Sequence, residues 1–152
     1  MKNDRNSTTA ASTPKIAAVI VAHGHLAAEL VAAAEMIVGP MPYVTSASIT
    51  WHDNADVARE EIERAIERVS QGKGVLLMTD MFGGAPMDIA SMFLDDHRIE
   101  IVSGVNLPMV IKLSSQAATE SLSDLAHRVR DGGKESIHLA SDILNRAAAT
   151  VE

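Results

Sequence analysis

Short unbroken apolar runs alternate along the chain with longer segments whose apolar residues recur every three or four positions. Ile16 to Ala22 (IAAVIVA) is the first such run, ended by His23-Gly24. A run of this kind suits a strand buried on both faces, as parallel sheets require. Leu26 to Val38 follows with Leu26, Leu30, Ala33, Ala34 and Ile37 on one stripe, and Gly39-Pro40 stops it, which predicts a helix. Val44 to Trp51 predicts a second strand. Asp53 or Asn54 then caps a helix to about Ser70 that turns Val57, Ile62, Ala65, Ile66 and Val69 inward. Its outer face carries alternating Glu and Arg, the pattern of a solvated surface laced with ion pairs.

The alternation continues. Gly74 to Thr79 is a third buried strand, ended by Asp80. A Met81 to Pro86 loop leads into a helix to Phe93 or Leu94, with Pro86 suited to its first turn. Ile99 to Val102 is a fourth strand, and Pro108 opens a helix through Lys112 or beyond. Ser121 or Ser123 caps another helix to Arg130, which Gly132-Gly133 ends. Ser136 to Ala140 (SIHLA) reads as a short fifth strand before a final Ala-rich helix.

Strand and helix in repeated alternation predict right-handed crossovers and a doubly wound, three-layer α/β sandwich. The 152 residues suit one domain, spanning 16–152. The first fifteen residues, polar and small, read as a disordered tail without the apolar stretch of a signal peptide.

In such a sandwich ligands sit beyond the carboxyl ends of the strands, where the strand order reverses. That nominates three loops: His23 to His25, Asp80 to Pro86, and Ser103 to Asn106. His23 lies between a strand end and a helix N-terminus, a place that favours anions. An imidazole keeps a neutral, nucleophilic fraction at physiological pH. Asp80 ends another strand and projects into the same crevice. A carboxylate there accepts one ring N–H, fixes the tautomer and leaves the other nitrogen to attack. Gly83-Gly84 lets backbone N–H groups turn toward an anion. Asn106 lines the site or completes a turn. His25 is a cap or a supporting residue, and His52 a turn residue.

Composition narrows the chemistry. The net charge of −7 and the lack of a dense basic block argue against nucleic acid and against anionic lipid. No apolar run approaches the roughly 20 residues of a membrane span. The absence of cysteine excludes disulfides and is compatible with a cytoplasmic location. No Gly-Lys-Ser/Thr follows the glycines, so nucleotide binding has no support. His97, His127 and His138 show no metal-ligand spacing, and a zinc or iron site on His23, His25 and Asp80 fits poorly because that His-x-His pair opens a helix instead of lying along a strand. No cofactor and no metal are expected. A receiver-like reading, with phosphate on Asp80, fits poorly because His23-Gly24-His25 stands where receivers need an acidic pair.

Three segments in order, VIVAHGHLAAELVAAAEMIVG, KGVLLMTDMFGGAPMDIAS and IVSGVNLPMVIKL, resemble the signature stretches of the mannose-type EIIA proteins of the bacterial phosphoenolpyruvate-dependent sugar phosphotransferase system. The resemblance implies that His23 is the phosphorylated histidine and Asp80 the carboxylate that orients it. Gly24, Phe82, Gly83, Gly84, Pro86 and Asn106 would then contact the phosphoryl group or a partner. It further implies HPr as phosphodonor and an EIIB protein, on a separate chain, as acceptor. The implied fold has four parallel strands and a fifth antiparallel edge strand, here Ser136 to Ala140, exchanged across a homodimer. Ala85 stands where the family often has Ser or Thr, and Phe82 where Trp is common. Free-standing members can be regulatory, with the phosphorylation state of His23 controlling partner binding instead of sugar uptake.

Overall fold

The computed structural model describes residues 12–50 and 54–150. Most of the predicted tail, the end of the second predicted strand at Trp51, the His52 turn and the Asp53 cap lie outside these residues.

Among the described residues four strands form one sheet: β1 (Ala17–His23), β2 (Val44–Ile49), β3 (Val75–Thr79) and β4 (Ile99–Ser103). All pairings are parallel and the order is β2-β1-β3-β4. Among the described residues six α-helices connect and follow them: α1 (Leu26–Val38), α2 (Ala55–Val69), α3 (Ala85–Ser91), α4 (Leu107–Lys112), α5 (Leu122–Glu135) and α6 (Ala140–Ala149), with a 3-10 turn at Leu113–Ser115. The two-residue period of a strand divides the core. Ala18, Ile20, Ala22, Leu76 and Met78 face α1, α4 and α5. Ala17, Val19, Val21, Val75 and Leu77 face α2 and α3. Both faces of β1 and β3 are therefore covered, as their unbroken apolar runs require.

The chain steps from β1 to one side and then returns past it to β3. Crossovers of one hand place α1 and α2 on opposite faces when the direction reverses. The reversal sits between β1 and β3, so their carboxyl ends open a crevice.

The caps follow the sequence closely. Asn54 accepts the N–H of Asp56 at 2.9 Å, and Ser121 accepts that of Asp124 at 3.1 Å. Several expectations need correction. Leu26 and Ile37 of the α1 stripe are exposed, as is Val57 of α2, while Ala27, Ala34 and Ala58 are buried. Helix α1 is apolar nearly all round, so its period selects no unique face, and alanine permits the closest approach to the sheet. Helix α3 stops at Ser91, because the N–H groups of Met92, Phe93 and Leu94 reach back only three residues, in tighter turns.

Gly132-Gly133 does not end α5, which continues to Glu135. A Cβ on Gly132 would collide with the aliphatic end of Lys112, and one on Gly133 with Met109. The glycines let α5 lie against α4, and that contact offsets their poor helix propensity of about 1 kcal/mol each. Ser136 to Ala140 forms no strand in this single chain. Ser136 closes α5, and Ile137 and Leu139 are exposed. A strand needs a hydrogen-bonded neighbour, and among the described residues this segment pairs with none.

Candidate active site

The crevice at the strand-order reversal holds the two residues that sequence position nominated. His23 is the last residue of β1, and Asp80 follows the last residue of β3. Asp80 Oδ2 lies 2.7 Å from His23 Nδ1 and also accepts the backbone N–H of His23 at 3.0 Å. Its Oδ1 accepts the N–H of Met81 at 3.0 Å. The carboxylate thus receives three donors and orients both the ring and the peptide that carries it. The side chain of Asp80 is 12% exposed and that of His23 is 32% exposed. The carboxylate is the more sheltered member of the pair and the imidazole the more exposed.

Burial pushes the Asp80 carboxyl up, but the hydrogen bonds from the His23 backbone and ring, the attraction of the ring, and the Met81 N–H together outweigh it. The net effect holds the carboxyl below the ordinary aspartate value. An ionised Asp80 is acceptor-only, so Nδ1 must carry the proton of a neutral His23 and the lone pair resides on Nε2. This has a consequence for stability. A carboxyl lowered on folding stabilises the native state above its unfolded pKa of about 3.9, and that stabilisation is lost as pH falls through the folded value. Urea titrations between pH 2 and 7 should therefore show a shallower acid limb for Asp80→Ala than for wild type. Equal slopes would contradict the assignment.

Gly84 faces the other side of the ring. A Cβ built on it would stand 3.5 Å from both Cε1 and Nε2 of His23. Gly83 and Gly84 have φ of 97° and 82°, a backbone that L side chains rarely adopt, and this loop delivers Pro86 to the start of α3. Pro86 is buried. Gly24 has φ of 56°, and its carbonyl accepts the Ser48 hydroxyl at 2.6 Å. Met81 and Phe82 extend into solvent, with Phe82 82% exposed. Leu26, the first residue of α1, is half-exposed.

Other nominated residues have different places. Asn106 caps α4, accepting the Met109 N–H at 3.2 Å, while its Nδ2 donates to the Gly133 carbonyl at 3.2 Å. Its amide is engaged in bracing α4 against α5. His25 occupies the cap position of α1 without a side-chain capping bond. Among the described residues no group of three His, Asp or Glu side chains could hold a metal ion, and no helix is long and apolar enough to cross a membrane. Sequence reasoning missed two hydroxyls beside the dyad, Ser48 and Thr79. A polar residue closing a wholly apolar strand was the available signal for Thr79.

A family model described as "PTS system fructose IIA component" matches residues 17–130. The mannose-specific EIIAB component of Escherichia coli K12 is 31% identical over 124 residues, which are 80% of this chain and 38% of that protein. The chain thus spans well under half the length of that relative. The fructose-specific EIIA component of Bacillus subtilis is 25% identical over 132 residues, covering 86% of this chain and 90% of that one. Among solved structures, the phosphotransferase system component EIIA from Streptococcus agalactiae superposes with a TM-score of 0.74 at 27% identity, covering 84% of this chain and 98% of that one. A fold alone would not assign a function, but the family match runs through β1, the β3–α3 loop and β4, which carry the crevice and its residues. The chain belongs to the mannose-type EIIA family of the sugar phosphotransferase system.

Proposed function

We propose that this protein is a phosphoryl carrier of the sugar phosphotransferase system. His23 accepts a phosphoryl group from the phosphohistidine of HPr and passes it to an EIIB protein. The observation that carries this reading is the 2.7 Å contact between His23 Nδ1 and Asp80 at the crevice. It leaves Nε2, the nitrogen bearing the lone pair, on the side of the ring that Gly84 approaches.

In the forward step the Nε2 lone pair attacks phosphorus in line with the donor's P–N bond. The Nε2–P bond forms as the donor bond breaks, and the donor imidazole leaves with its electron pair. No proton needs to move at His23, because Nδ1 keeps its hydrogen. The positive charge that the ring acquires is balanced by the Asp80 carboxylate. Transfer to EIIB is the same displacement with His23 as leaving group. The Gly24 and Gly83-Gly84 backbones sit closest to the phosphoryl oxygens, and Pro86 sets the direction of the helix behind them. Met81 and Phe82 form the apolar surface on which either partner docks. Asn106 serves by holding the β4–α4 turn.

The family's homodimer with an exchanged fifth strand is part of the proposal. Among the described residues strand β4 has β3 on one side only, and exposed Ile137 and Leu139 alternate as strand residues would. A second copy's residues 136–140 are the proposed partner of that edge.

The test is phosphorylation of the whole chain with phosphoenolpyruvate, Enzyme I and HPr. Acid-labile phosphate should map to His23 by mass spectrometry, and 31P NMR should report the Nε2 isomer. Label on Asp80, on another histidine or on Nδ1 would overturn this mechanism, as would no label at all.

A further inference from the structure

Directly beneath the dyad lies a buried hydroxyl that the mechanism above does not use. Thr79 closes β3 and, among the described residues, is the one polar residue that is buried, at 0% exposure. Its Oγ1 is 2.9 Å from the Ser103 hydroxyl at the end of β4. It is 3.4 Å from the Met81 carbonyl and 3.8 Å from Met87 Sδ on α3. Its own carbonyl accepts two N–H groups, from Gly104 and Val105, each at 2.9 Å.

These contacts meet at the peptide on either side of Asp80. Before Asp80, the Thr79 carbonyl is held by the β4–α4 turn. After it, the Met81 N–H is held by Asp80 Oδ1 and the Met81 carbonyl faces the Thr79 hydroxyl. A hydroxyl has one proton and two lone pairs. Its proton is best placed toward the Ser103 hydroxyl at 2.9 Å, with the Met81 carbonyl at 3.4 Å and Met87 Sδ at 3.8 Å as longer contacts beside it. A buried hydroxyl without partners is costly, so this one is retained only where its bonds are made. An apolar residue of the same shape would pack in this position without them.

We propose that Thr79 is a positioning residue for the His23–Asp80 pair, acting with Ser103 to lock the turn from which Asp80 reaches the ring. This rests on the carrier reading for its effect on transfer, but not for its effect on the ring itself. An angular error at Asp80 is passed to Nε2 through a single 2.7 Å contact. Rates of in-line transfer are sensitive to such displacements.

The test compares Thr79→Val, Thr79→Ser and Ser103→Ala with wild type in the full chain. Two quantities are read: the single-turnover rate of phosphorylation by phospho-HPr, and the NMR titration of the His23 ring. Thr79→Val should slow transfer by roughly 10- to 100-fold and move the His23 titration midpoint and ring shifts. Thr79→Ser, which keeps the hydroxyl and loses a methyl, should restore both. Ser103→Ala should shift both in the same direction by less, and it supplies the result if Thr79→Val does not fold.

A Thr79→Val protein with wild-type rate and titration would overturn the proposal. So would a slow Thr79→Val whose titration is unchanged and which Thr79→Ser does not rescue, since that marks a packing defect. If wild type takes no phosphate, the carrier reading falls, while the titration still decides whether Thr79 positions the ring.

Discussion

Asp80→Asn is expected to slow phosphorylation of His23 by about two to four orders of magnitude. The substitution is nearly isosteric, so the reason lies in hydrogen-bond accounting. Asp80 receives three donors: the His23 ring, the His23 backbone N–H and the Met81 N–H. A carboxylate accepts all three, whereas an amide offers one oxygen and two protons of its own. With the oxygen toward His23, the amide NH2 faces the Met81 N–H and the turn is pushed open. With the amide reversed, NH2 faces both His23 donors. The ring then relieves the conflict by moving its proton to Nε2, which removes the lone pair needed for attack. In either orientation the charge that balances the phosphorylated ring is gone. Single-turnover labelling with phospho-HPr measures the rate, and 15N NMR of the ring reports the tautomer. An Asn variant that labels as fast as wild type would remove Asp80 from the mechanism.

The second large effect belongs to Gly84→Ala. Gly84 has φ of 82° and ψ of 173°, a region occupied almost only by glycine, so any side chain there is strained by about 1–3 kcal/mol. Its new methyl would stand 3.5 Å from Cε1 and Nε2 of His23. That is ordinary contact, so the ring and its bond to Asp80 can persist. The methyl occupies the space through which phosphorus must come within about 3–3.5 Å of Nε2. Transfer is expected to fall by about 100-fold or more. Gly83→Ala separates strain from obstruction. Gly83 has a comparable φ of 97°, but a Cβ there meets nothing within 4 Å. Both variants should lose thermal stability, whereas the transfer defect should be much deeper for Gly84→Ala. If the two lose transfer equally, obstruction of Nε2 is wrong and loop strain accounts for the loss.

Most of the layer architecture was legible along the chain. Residues 16–22 and 75–78 are apolar without interruption, and short runs of this kind suit a strand covered on both faces. Gly39, Asn54, Ser121 and Pro108 mark helix ends through local backbone chemistry, and each appears where that chemistry places it. His23 and Asp80 were nominated because each closes an apolar run, which is again a local property. Where the local signal was degenerate, the reading failed. Helix α1 is apolar on several faces, and its inward stripe was misassigned. Gly132-Gly133 carries the same local mark as a helix stop, but the two glycines are there to admit Lys112 and Met109.

What remained was set by contacts between residues far apart in sequence. His23 and Asp80 are 57 positions apart, and they meet only because β1 and β3 are neighbours in the order β2-β1-β3-β4. No periodicity encodes that order; it follows from which faces the helices cover when the crossovers keep one hand. The same neighbour relations turned Asn106 toward Gly133 and brought Ser103 to Thr79. Local patterning determined the strands, the helices and the residues at their ends, because those depend on a few adjacent side chains. The tertiary packing determined which ends meet, and so which nitrogen of His23 lies against Asp80, because a 2.7 Å contact across two strands is a property of the sheet and of no segment alone.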